Sequence, residues 1–191
     1  MSFSTVVLLL VAIIWTFIEG ALIYCDKSNA KGTTKIDSMS RLFNFISFEL
    51  AIYSPLLSLI WPMLRFYHLE NLCITLLGTA LICLGFVLRY WSIATLGKYF
   101  RTTVEFEEGH RIIQKGPYKL IRHPSYSGMI VFFIGYGLVS QNWVSFLIVI
   151  IVPTLALLYR IHIEEEAFTK QFGIEYENYK SKTKKLIPGL W

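Results

Sequence analysis

Two short stretches of this sequence hold most of its chemistry. Residues 116–128 read Gly-Pro-Tyr-Lys-Leu-Ile-Arg-His-Pro-Ser-Tyr-Ser-Gly, and residues 160–166 read Arg-Ile-His-Ile-Glu-Glu-Glu. In the first, Pro124 biases His123 toward an extended backbone and suits the first position of a helix. The spacing predicts a helix that starts there, with free backbone N–H groups beside Arg122 and His123, which is an anion site. A snorkelling arginine followed by a helix-starting proline explains the triplet equally well on its own. In the second stretch Arg160 and Glu164 share a helical face at i, i+4. Three acids closing a helix oppose its macrodipole, a costly placement unless the charge has a use; a solvated exit from the helix is the plain alternative. Glu19, Glu49 and Arg89 lie inside apolar runs, where an ionisable group is expensive. Arg89 is expected either to pair with one of the two carboxylates or to serve a site.

The elements that must position these groups are membrane helices. Of 191 residues 54% are hydrophobic and 16% charged, and the mean hydropathy is +0.52. A soluble domain of that composition would expose large apolar patches, whereas lipid accommodates them. Crossing a bilayer takes roughly 20 apolar residues. Five stretches meet or approach that length: Phe3 to Tyr24, Leu42 to Trp61, Leu72 to Leu96, Gly128 to Val139 and Trp143 to Tyr159. The fourth is short. With only Ser140, Gln141 and Asn142 before the fifth, it reads as one arm of a tight helical hairpin. The expected fold is an all-α integral membrane protein of about five spans, with helices 1 and 2 in residues 1–70 and a core in residues 71–191. The first apolar run has no basic lead and no cleavage pattern, so it reads as a retained helix.

Charge orients the expected spans. Sixteen of the 18 Lys and Arg fall in the first loop, the third loop and the segment after the fifth helix. Positive loops stay on the cytoplasmic side, which predicts an outer N-terminus and a cytoplasmic C-terminus. The net charge of +5 flanks apolar runs, so anionic lipid headgroups rather than nucleic acid are the expected partner. Cys25, Cys73 and Cys83 form no CxxC pair and suit neither a disulfide framework nor a metal site. Residues 97–127 form the longest polar segment between helices. In the tail, Phe168, Phe172, Tyr176 and Tyr179 recur at helical spacing and read as interfacial anchors of an amphipathic helix. Gly135 and Gly137 read as close-packing positions within an apolar helix.

From about Leu96 to Pro188 the chain resembles the isoprenylcysteine carboxyl methyltransferases and the related membrane phospholipid methyltransferases. The resemblance is carried by LGKYFRTTV, GPYKLIRHPSYSG, the hairpin, RIHIEEE and the FGIEYENYKSKTKKLIP tail, in that order. It implies a cytoplasmic pocket for S-adenosylmethionine, enclosed by loop, hairpin and tail, with a lateral opening for a lipidated substrate. By the same resemblance Ile113, Gly116, Tyr118, His123, Pro124 and Tyr126 form the cofactor wall. Glu164 and Glu165 partner the cofactor's cationic groups, and Glu164 is a catalytic acid. Arg160 holds the substrate carboxylate, with Arg89 as a second substrate-binding candidate. His162 and Ile163 separate Arg160 from the acids where some relatives carry charges, which leaves the register of the acid open by one position.

The implied reaction is formation of a methyl ester on the α-carboxylate of an isoprenylated cysteine by a monomeric enzyme. A carboxylate is already ionised at neutral pH, so no general base is needed. Alignment and a cation for the carboxylate are the requirements, and a bidentate arginine suits both. Methylation of a phospholipid amine is the nearest alternative; it needs a base, for which Glu164 or Glu165 is available. A sterol-type reductase using NADPH and a non-enzymatic scaffold are the alternatives of other classes.

Overall fold

The computed structural model describes residues 2–27, 35–56, 71–103 and 111–189. These form helices α1 (Phe3–Lys27), α2 (Lys35–Tyr53), α3 (Leu72–Leu96), α4 (Pro124–Ser140), α5 (Trp143–Phe172) and α6 (Ile174–Lys182), with short 3-10 turns at Ser54–Leu56, Gly97–Tyr99 and Gly116–Lys119. Helix α3 has the bounds that its apolar run predicts, because Asn71 caps its start and Gly97, at φ 54°, ends it. Helix α4 begins at Pro124, as the proline placement predicts.

Two expectations need correction. Helix α2 begins at Lys35 rather than Leu42, because its polar first turns find buried partners: Asp37 is 2% exposed and Ser40 fully buried. Its expected end at Trp61, like Arg65, the Cys25 side chain and the centre of the 97–127 loop, lies outside the described residues. Helix α5 does not close at the acidic run. It continues unbroken to Phe172, so Glu164, Glu165 and Glu166 sit inside it and the opposition to its dipole disappears.

Among the described residues three helices, α1, α3 and α5, are long and apolar enough to cross a membrane, and α4 is a shorter apolar helix. Their outer faces are greasy: Phe17, Val87 and Leu155 are more than half exposed. Such faces fit lipid, and the chain is an integral membrane protein.

The core lies where α1, α2 and α4 meet. Trp15 stacks on Phe132 at 4.7 Å and meets Phe48 edge-on. The Tyr136 hydroxyl donates to Ile52 O at 2.8 Å and Leu8 O at 3.3 Å, tying three helices at one buried atom. Glycines set the seam between α3 and α4. A Cβ on Gly78 would stand 2.7 Å from Gly135 O, and one on Gly85 would stand 2.6 Å from Gly128 O. Without a hydrophobic drive between helices in lipid, such backbone contact is what holds a pair together. At the hairpin, Gln141 adopts the left-handed conformation and Asn142 caps α5 by accepting from Ser145 N. The Gln141 side chain binds Thr75 Oγ1 at 2.8 Å and the Asn71 backbone, so the turn is also anchored to α3.

Candidate functional site

At the end of the bundle where α4 starts, a cavity of about 620 Å³ opens between α2, α3, α4, α5 and α6. That is within the range of small-molecule sites. The hairpin brings the two chemical stretches together there. His123, at the start of α4, places Nδ1 3.5 Å from Glu164 Oε2 and Nε2 3.5 Å from Glu165 Oε1. Its ring lies parallel to that of Tyr126, and the Tyr126 hydroxyl donates a short bond to Glu164 Oε1. Arg160 Nε donates to the same oxygen at 2.9 Å, which is the i, i+4 pair expected from spacing.

Burial alone would lower the His123 pKa, but the Glu164 and Glu165 carboxylates beside its two ring nitrogens outweigh it and hold the value above the ordinary 6.5. Burial pushes the Tyr118, Tyr176 and Tyr179 phenols up, so they remain neutral donors.

Arg160 is a hub. Its Nη1 donates to Asp37 Oδ1 and Ser40 Oγ on α2, and its Nη2 to Thr102 O at 2.9 Å. One of its five N–H groups is left over among the described residues. Deeper in the cavity, Arg89 Nη2 pairs with Glu19 Oε1 at 2.9 Å, so the expected pairing is with Glu19. Its Nη1 rests on the Met129 sulfur at 2.7 Å and on Ser125 Oγ at 3.3 Å. A thioether is a weak acceptor, and Nε–H and one Nη2–H of Arg89 have no partner among the described residues. Among the described residues Glu49 lies off the cavity, with its Oε1 buried and without a hydrogen bond.

Of the residues singled out in the sequence, Ile113, Tyr118, His123, Tyr126, Arg89, Arg160 and Glu164 line the cavity, whereas Gly116, Pro124 and Glu165 do not. Glu165 instead faces Arg122 Nε at 2.7 Å and Lys185 Nζ at 3.6 Å. Gly116, at φ 56°, turns the chain into the 3-10 segment carrying Tyr118, and Pro124 starts α4.

The tail supplies a wall, as the resemblance implies, and backbone pairing seats it. Residues 184–186 run beside 120–123: Arg122 N donates to Lys184 O at 2.8 Å, His123 N to Lys185 O at 3.0 Å and Lys184 N to Leu120 O at 3.3 Å. Ser127 Oγ donates to Leu186 O at 2.6 Å, and Arg122 Nη1 to Thr183 O at 2.6 Å beyond the end of α6. Tyr179 donates to Tyr118 O at 2.7 Å. Tyr176 and Tyr179 are buried and line the cavity, which replaces the reading of them as interfacial anchors. Asp37 and Ser40 carried no signal, because short polar residues before an apolar run resemble a helix entry.

The residues fit a sulfonium nucleoside. Glu164 offers a carboxylate to an ammonium, and His123 and Arg122 offer cations to a carboxylate. The aromatic rings of Tyr118, Tyr126, Tyr176 and Phe168 offer faces to a cation and to a base.

Residues 76–170 match the model of the isoprenylcysteine carboxyl methyltransferase (ICMT) family. Protein-S-isoprenylcysteine O-methyltransferase B of Arabidopsis thaliana is 29% identical over 160 residues, which cover 82% of this chain and 81% of that protein. Protein-S-isoprenylcysteine O-methyltransferase of Saccharomyces cerevisiae is 34% identical over 135 residues, 69% of this chain and 56% of that protein. The solved eukaryotic intramembrane Ras methyltransferase ICMT superposes with a TM-score of 0.57 at 25% identity. The match covers 80% of this chain and 52% of that one, so the chain spans about half the length of that structure.

Proposed function

The chain belongs to the isoprenylcysteine carboxyl methyltransferase family, and from that premise we propose that it methylates the α-carboxylate of an isoprenylated cysteine within the bilayer, with S-adenosylmethionine as donor. The observation that carries this reading is one cavity with two unlike ends. Glu164, His123 and Tyr126 form a polar, aromatic end, and Arg89 and Glu19 stand among Phe45, Phe48, Met129 and Leu157 at an apolar one. A charged nucleoside suits the first and a lipid chain ending in a carboxylate suits the second.

When bound, the sulfonium would supply an electrophilic methyl group to a carboxylate that is already ionised, so the chain has no proton to move. The chain's task is to bind, align and dry the reactants. Glu164 holds the donor's cationic side, fixed by Tyr126, Arg160 and His123. Ile113, Tyr118, His123 and Tyr126 wall the donor. Gly116, Pro124 and Glu165 act one step back, by shaping the loop, the start of α4 and the Arg122 contact. The acceptor carboxylate goes to Arg89, which has two N–H groups to offer, and to the remaining N–H of Arg160.

In this reading the fold has five spans, α1 to α5, with the N-terminus outside and the cavity and C-terminus in the cytoplasm. Residues 1–70 carry transmembrane helices 1 and 2, residues 71–191 the catalytic core, and the unit is a monomer. In a eukaryote the membrane is that of the endoplasmic reticulum, and in a prokaryote the inner membrane.

A methyl-labelled donor tested on N-acetyl-S-farnesylcysteine beside a phospholipid panel decides the acceptor. Base-labile label on the cysteine derivative is expected. Base-stable label in lipid would indicate an amine acceptor instead. Calorimetric binding of S-adenosylhomocysteine is expected and of NADPH is not, which separates methyl transfer from reduction.

A further inference from the structure

We infer that the chain after α6 and the loop before α4 together form a docking surface for anionic lipid headgroups, and that a headgroup seated there holds the tail wall of the cavity closed. The coupling to the cavity rests on the donor reading above. Residues 111–128 and residues 178–191 each carry four Lys or Arg and no Asp or Glu. Backbone pairing of 120–123 with 184–186 lays these two acid-free segments side by side. The carboxylates that reach them come from outside both: Glu165 meets Arg122 and Lys185, and Glu177 meets Lys180. Lys119, Lys182 and Lys184 are exposed and have no ion pair among the described residues. Like charges gathered on one surface repel, and an anion from outside relieves them.

The same surface is greasy. Leu120 and Ile187 are more than half exposed, whereas Ile121 and Leu186 beside them are buried. Lys184 N donates to Leu120 O at 3.3 Å, which puts lysine and leucine next to each other. Exposed aliphatics framed by lysines suit the boundary of acyl chains and headgroups, where lysine stems lie on hydrocarbon and their ammonium groups reach phosphate. The level agrees. A Cβ on Gly116 would stand 3.2 Å from Thr95 Oγ1 and 3.7 Å from Trp91 Nε1, so the loop lies against the last turns of α3. There Tyr90 and Trp91 are more than half exposed, and such rings mark a membrane–water boundary.

Lys184 belongs to the surface and to the wall at once. Its side chain is exposed, while its carbonyl accepts from Arg122 N at 2.8 Å. Tyr176 and Tyr179, which line the cavity, precede it on α6. The surface is complete only while the tail is paired, since Lys119 and Leu120 come from the loop and Lys182, Lys184 and Ile187 from the tail. An anion that binds the complete surface better than its halves therefore favours the closed wall.

The test places the full chain in nanodiscs of phosphatidylcholine alone and of phosphatidylcholine with phosphatidylglycerol. The calorimetric Kd of S-adenosylhomocysteine is expected to be about three- to tenfold lower in the anionic discs, and to rise again with added salt. Amide exchange across residues 182–187 is expected to slow in the anionic discs with no cofactor present. With Lys119→Gln, Lys182→Gln and Lys184→Gln combined, both differences are expected to vanish while the Kd in neutral discs stays unchanged. Lys184→Gln alone takes the place of the triple variant if the latter loses that Kd. Equal Kd and equal exchange in the two discs overturn the proposal, and so does a difference that survives in the variants. Inorganic phosphate reproducing the effect in neutral discs would assign the lysines to a free anion and overturn the lipid docking. Slower exchange with equal Kd keeps the surface and removes the coupling. Folded protein that binds S-adenosylhomocysteine in neither disc removes the donor reading, and the exchange difference then upholds or sinks the surface by itself.

Discussion

Arg160 and Arg89 are both buried cations, yet their surroundings differ in a way that residue type does not reveal. Arg160 bridges α5, α2 and the loop through Glu164, Asp37, Ser40 and Thr102, whereas Arg89 leans on one carboxylate, a thioether and a long contact to Ser125. Arg160→Ala is expected to abolish turnover while S-adenosylhomocysteine still binds by calorimetry, and to lower stability by about 3–5 kcal/mol because it removes one partner of the buried Arg160–Asp37 ion pair. Normal turnover at saturating cofactor would contradict this role. Arg89→Leu is expected to remove activity from folded protein; full activity would leave the Glu19 pair a purely structural one. His123 carries a pH signature. Its folded pKa is raised, so the stability it gains from Glu164 and Glu165 is complete below about 6.5 and is lost as pH rises through the higher folded value. Thermal midpoints in detergent should decline across that window and then level, and His123→Gln should flatten the decline. A midpoint that rises with pH there would reverse the sign of the coupling.

At the scale of elements, the active groups owe their positions to backbone contact between α3 and α4. The Gly85 and Gly128 pair sits one turn from Arg89: a Cβ on Gly128 would stand 2.8 Å from Arg89 N. Gly85→Val has no flexible neighbour to yield, since Gly128 O and Phe132 N both stand at 2.6 Å. It should cost at least about 1–3 kcal/mol and lose activity by moving Arg89 away from Ser125. Gly20, whose Cβ would meet nothing within 4 Å, is the control, and Gly20→Ala should leave the midpoint within about 0.5 kcal/mol. Equal effects at the two positions would refute the seam. The sequence already pointed to close packing at Gly135 and Gly137, because glycine in an apolar helix has few other uses. It did not identify the partners, since Gly78 and Gly85 become neighbours of Gly135 and Gly128 only once α3 and α4 run antiparallel.

At the scale of the whole molecule, the tail closes the site. Residues 184–186 lie along residues 120–123, so the last segment of the chain and the start of α4 form one wall on one side of the membrane. A reporter fused after the last residue is expected to be cytoplasmic; a lumenal or periplasmic reporter would put the cavity on the wrong side for the charge pattern. Apolar run length, the Pro124 start and the i, i+4 relation of Arg160 to Glu164 were all legible in the amino-acid order, because each depends on contacts within a few residues. The order also carried the family resemblance and the membrane as solvent. Only the tertiary structure decided that α5 runs on through its acids, that Glu165 faces Arg122 and not the cavity, that Tyr176 and Tyr179 turn inward, and that Asp37 meets Arg160. Each of these depends on a partner tens of residues away, and a charge or an aromatic ring gives no local sign of whether it will find that partner or solvent.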